Sequence, residues 1–155
     1  MKTKTIGWTA ALWVLAGTVC LAANPQMGTW KLNEAKSKLA PGTGKNRMVV
    51  YKQGMFGEVK VTVDGVDAKG KPAHNEWSGR FDGKDHPVKG DPTSDTRAYT
   101  KVNDRTLDLT GKKNGKVAFT GQIVVSADGK SRTITINGTT PKGKKYKSIG
   151  VYDKQ

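Results

Sequence analysis

The feature that most constrains this chain is a two-residue alternation of apolar and polar side chains, cut at short intervals by glycine turns. Val59, Val61 and Val63 alternate with Lys60, Thr62 and Asp64. Leu107 and Leu109 alternate with Thr106 and Asp108, and Ile134 and Ile136 with Thr133 and Thr135. Val117, Phe119, Gly121, Ile123 and Val125 share one face of a longer run. Side chains of a strand point to opposite faces in turn, whereas a helix needs apolar residues three and four apart. Between the runs stand Lys69-Gly70, Asp82-Gly83, Asn103-Asp104, Asn114-Gly115, Asp128-Gly129 and Lys142-Gly143. Asn-Gly and Asp-Gly accept positive φ, as the tight turns of two-residue hairpins require.

The pattern predicts strands over 28–32, 46–53, 57–66, 72–81, 86–89, 95–102, 105–111, 116–126, 131–138 and 145–153. Helix is expected only near 33–39, where Asn33 can cap one or two turns before Pro41-Gly42 stops them. The expected fold is all-β: an antiparallel up-and-down meander with little helix, closed into a barrel of about 8–10 strands. A sandwich is the alternative. Closure removes exposed sheet edges, and the shortness of the connections favours it.

The N-terminus does not belong to that pattern. Lys2 and Lys4 precede an uncharged run from Ile6 to Leu21, followed by Ala22, Ala23 and Asn24-Pro25. An apolar run of about 16 residues is short for a membrane span and suits a cleaved export signal. Residues 1–23 are therefore read as a signal cleaved near Ala22 or Ala23, and 24–155 as one domain without a membrane span. Periplasmic or secreted localisation follows as an expectation. Cys20 would leave with the signal, so disulfides and thiol chemistry are not expected in the mature part.

Charge bears on partners. The chain has 27 Lys and Arg against 13 Asp and Glu. The basic residues are strewn from Lys31 to Lys154, mostly beside Gly, Asp and Asn, as in solvated turns rather than one dense patch. Such a surface attracts polyanions. Nucleic acid is not expected of an exported protein.

No chemistry announces itself. His74 and His86 are the only histidines and lack metal-ligand spacing. The loop from Phe81 to Pro87 has acids without the calcium-loop spacing, and Lys84 stands among them. Ser94 has no nucleophile elbow around it. No catalytic residue, metal or cofactor is expected, and the chain is read as a non-enzyme. The strands that mix aromatic and polar residues are better candidates for a binding face. They nominate Trp77, Arg97, Tyr99 and Tyr152 as ligand-binding residues.

Two end motifs carry a resemblance. Gly28-Thr29-Trp30-Lys31-Leu32 resembles the Gly-x-Trp opening of the calycins, the lipocalin and fatty-acid-binding-protein group. Gly150-Val151-Tyr152-Asp153-Lys154 is similar to the Arg-x-Tyr-acid-Lys ending of fatty-acid-binding proteins. The segment Asp82 to Gly90 also resembles the centre of a set of small secreted bacterial proteins of unknown role. The resemblance implies a barrel plugged at one end by Trp30, with a small interior for an apolar or amphipathic ligand. Two positions depart from it. Gly150 stands where the arginine would hold a carboxylate. The stretch between the first two strands, about 14 residues, is short for a two-helix lid. The expected function is a small ligand bound in the barrel mouth. The alternative is surface contact of the basic exterior with envelope polyanions or a protein partner.

Overall fold

A computed structural model describes residues 23–140 and 142–155. The segment read as an export signal lies outside them, apart from Ala23. Ten strands follow one another: β1 (Gly28–Leu32), β2 (Lys45–Gln53), β3 (Val59–Val66), β4 (Pro72–Gly79), β5 (His86–Lys89), β6 (Thr96–Asn103), β7 (Thr106–Lys113), β8 (Lys116–Val125), β9 (Ser131–Thr139) and β10 (Lys145–Lys154). Each pairs antiparallel with its neighbour in sequence, and β1 pairs with β10 to close the barrel. The closing register sets Trp30 against Lys154 and Leu32 against Tyr152.

The alternation puts the expected side chains inside. Val59, Val61 and Val63 are all under 5% exposed, as are Leu107, Ile123 and Val125. The turn chemistry also acts as read. Asn114 and Gly115 both take positive φ, 50° and 74°, and join Lys113 to its partner Lys116. That is the two-residue geometry whose twist matches the flanking strands.

Most expected strand boundaries hold to within one residue; three move by two, one of them the end of 105–111, which runs on to Lys113. The run 57–66 begins as strand at Val59, because Met55–Gly57 form a single 3₁₀ turn in which Phe56 has φ 53°. The run 72–81 ends at Gly79, and Phe81 packs against the core from beyond the strand. Helix near 33–39 shrinks to one 3₁₀ turn, Glu34–Lys36, with the Asn33 side chain accepting from the Lys36 N–H. No helix of the described residues is long and apolar enough to cross a membrane.

Sequential antiparallel strands send alternate connections to opposite ends. The β2–β3, β4–β5, β6–β7 and β8–β9 connections share one end with the residues before β1. Here the Trp30 Nε1–H donates to the Gln26 carbonyl, and the Gln26 side chain donates to the Arg105 carbonyl, both at 3.0 Å. Gln26 is 1% exposed, so this end is plugged. The β1–β2, β3–β4, β5–β6, β7–β8 and β9–β10 connections share the other end, the mouth.

Candidate functional site

The interior divides into two polar groups joined by aromatic rings. Nearer the mouth, Arg97 on β6 faces inward and its guanidinium donates to Asp91 at 2.6 Å. Asp91 lies in the β5–β6 connection, which folds into the barrel far enough to bury Ser94. Ser94 and Thr93 hydroxyls also donate to the Asp91 carboxylate. Burial alone would raise the Asp91 carboxyl; the Arg97 charge and the two hydroxyls outweigh it and hold it below the ordinary value. Tyr146, reaching in from β10, is pushed up by burial and then by the Asp91 charge.

Asp91 is thus expected to make the fold acid-sensitive. A carboxyl with a depressed folded-state value contributes stability above its unfolded value, about 4, and loses it as pH falls through the folded value. Urea midpoints at about pH 6 and about pH 3 should differ more in the wild type than in Asp91→Asn. Parallel pH profiles for the two would remove Asp91 as the cause.

Rings lead inward from there. The Trp77 Nε1–H donates to the Arg97 carbonyl at 3.0 Å, and Trp77 meets Tyr99 edge-on at a centroid distance of 4.6 Å. Tyr99 meets Tyr51 edge-on at 6.4 Å. Burial pushes the Tyr99 hydroxyl well above its usual range, more than the Arg97 and Arg132 charges lower it.

The second group centres on Arg132, on β9 near the plugged end. It is 1% exposed. Its guanidinium carbon sits 4.7 Å from the Trp30 ring centre, 4.6 Å from Tyr51 and 5.4 Å from Tyr152. None of its three nitrogens has a hydrogen-bond partner among the described residues. Burial lowers the Arg132 pKa, yet a guanidinium stays charged in a protein. Burial likewise pushes Tyr152 up to about 12, against the opposing Arg132 charge. Asp91 compensates Arg97, so the buried charges of the described interior leave one positive charge over, on Arg132.

The four nominated residues all lie inside, with Trp77, Arg97, Tyr99 and Tyr152 between 1% and 7% exposed. Trp77, Arg97 and Tyr99 form one group. Tyr152 stands apart from them, against Arg132. Sequence reasoning missed Arg132 and Tyr51. The signal for Arg132 was present, since it has the same parity as Ile134 and Ile136 and so falls on their inward face. Arg132 pairs directly across from Tyr152, two residues beyond Gly150 on the neighbouring strand. A Cβ at Gly150 would stand 2.9 Å from the Tyr152 ring, so glycine leaves room for that ring to lie back.

Along β8, β9 and β10 the inward residues toward the mouth are less buried than those toward the plugged end. Phe119, Ile134 and Ile136 face inward against the core yet stay partly exposed. At the mouth, an open hollow of about 460 Å³ is bordered by Val117, Phe119, Gly138 and Tyr146, together with Lys145 and Lys147. From Gly138 the inward positions descend through Ile136 and Ile134 to Arg132, roughly 20 Å along the strand. No group of three or more potential metal ligands occurs among the described residues. No protein-family model matches the chain, and no curated protein matches it.

Proposed function

We propose that the chain is an exported binding protein whose barrel takes a small amphipathic molecule bearing one anionic group. The observation that carries this is Arg132, a buried guanidinium with no counter-charge and no hydrogen-bond partner among the described residues. Removing such a charge from water costs several kcal/mol. Three facing rings offset part of it, at about 2 kcal/mol for a desolvated cation over a ring. A carboxylate would use the donors the fold leaves unpaired. An alkyl tail would follow Ile134, Ile136 and Phe119 toward the mouth. The reading assigns binding and no chemistry: Asp91 stays ionised, and Tyr99 and Tyr152 stay protonated, at neutral pH. The charged N-terminal start and short apolar run support export.

Calorimetric titration with decanoate and with decanol tests it. The two share a tail and differ in the head group. Decanoate is expected to bind at least tenfold tighter, the gain of about 1.5–3 kcal/mol for hydrogen bonds to a charged partner. Equal affinities, or no binding of either, would leave Arg132 as a packing element and end the proposal.

A further inference from the structure

Charge that is strewn along the sequence is gathered at one end in space. When each charged residue of 24–155 is assigned to the nearer end of its strand or connection, the mouth half carries sixteen Lys and Arg against five acids. The plugged half carries nine against eight. Nearly all the excess positive charge therefore lies around the mouth. Among its members, Lys116, Lys142, Lys144, Lys145 and Lys147 are exposed and have no ion-pair partner among the described residues.

Apolar surface lies within the same ring of lysines. Val117 is 60% exposed, and it borders the mouth hollow with Phe119 and Tyr146. Val117 sits opposite Lys112 in the β7–β8 ladder and follows Lys116 in sequence.

We infer that the mouth end is a docking face for an anionic lipid bilayer, with the barrel standing end-on. Lysines around the rim meet the headgroups, and Val117, Phe119 and Tyr146 reach the interfacial layer between them. A duplex nucleic acid satisfies the charge but offers no apolar layer to the residues inside the rim. The placement of charge carries the inference independently of any ligand inside the barrel.

Co-sedimentation with vesicles tests it, using phosphatidylcholine alone and phosphatidylcholine with a minority of phosphatidylglycerol. Two triple variants are compared in the full chain, so that the N-terminal segment is common to both. One, K116Q/K142Q/K144Q, neutralises the mouth without touching Arg132 or the inward wall. The other, K52Q/K84Q/K130Q, makes the same charge change at the plugged end, where these lysines are equally exposed. The mouth variant is expected to lose about a hundredfold in affinity for the anionic vesicles, at about fivefold for each of the three lysines. The plugged-end variant should lose no more than about threefold, the share of net charge alone. Equal losses would assign binding to diffuse charge and overturn the inference. So would the absence of anionic-vesicle binding, or a short DNA duplex that binds more tightly than the vesicles do. Decanoate affinity in solution is expected to be the same in both variants, so failure of docking and failure of the interior site are separate results.

Discussion

Trp30→Ala is expected to lower the stability of the fold by about 3–5 kcal/mol, the range for deleting a buried aromatic side chain. Net stabilities of domains are about 5–15 kcal/mol, so the variant would lie close to its unfolding threshold. Three contacts make this ring more than filler. It is 0% exposed, its Nε1–H holds the Gln26 carbonyl, and it is one of the rings that face Arg132. Truncation would open a cavity, orphan a buried carbonyl and uncover a guanidinium in one step. Trp30→Phe separates these effects. It keeps a ring near Arg132 and loses the hydrogen bond, so a drop nearer 1–2 kcal/mol is expected. Urea denaturation followed by far-ultraviolet circular dichroism measures both. Phe56→Ala is the control, because Phe56 is 87% exposed and its loss should change stability by less than about 0.5 kcal/mol. A Trp30→Ala midpoint as close to wild type as that of the control would show that the plug does not hold the barrel together.

The architecture was legible because a period of two makes each residue's side of the wall a local property. Val61 between Lys60 and Thr62 faces inward whatever the rest of the chain does, and Asn114-Gly115 fixes a reversal on its own. Closure was less local. It depends on β1 meeting β10, which no short segment can state, so the expectation rested on the cost of open sheet edges, the short connections and the likeness of the two end motifs. The errors at Met55–Gly57 and at Phe81 arise where the chain leaves the ladder, for there side-chain parity no longer says which way a residue faces. The candidate site was half legible for the same reason. Trp77, Arg97 and Tyr99 stood on mixed faces and proved to be neighbours. Arg132 carries no such mark, because its segment 131–138 offers it neither an aromatic nor an acidic neighbour on the same face. Parity puts it on the inward face, but only the partners across three strands show that it lies under Trp30, Tyr51 and Tyr152.

Electrostatics shows the opposite behaviour. Along the chain the lysines look evenly spread, and each turn taken singly reads as solvated. The meander then sorts turns by parity, odd connections to the mouth and even ones to the plug. A surface that is featureless in one dimension becomes polar in three. Length, composition and net charge contain nothing of this, since it depends on the order of the turns and on the closure of the barrel.

Arg132→Met is expected to make the protein more stable and less able to bind. The substituted side chain is of similar length, is apolar, and can pack its sulfur against the same rings. It removes a buried charge that has no partner among the described residues, so stability should rise by about 1–3 kcal/mol, net of the lost attraction to the rings. Decanoate affinity should fall by more than tenfold, while decanol affinity should hardly change. Few core substitutions raise stability, and one that does so while abolishing recognition of a charge marks a strained binding group. Arg132→Lys should keep part of the decanoate affinity as a point charge, without the planar fork that can hold both carboxylate oxygens. Urea midpoints and titrations on the same three proteins decide the matter. A loss of stability in Arg132→Met would mean that the guanidinium is a keystone of the aromatic cluster and that its charge is already satisfied. A gain with decanoate binding intact would place the anionic head elsewhere in the barrel, with Arg97 beside Asp91 as the remaining buried cation.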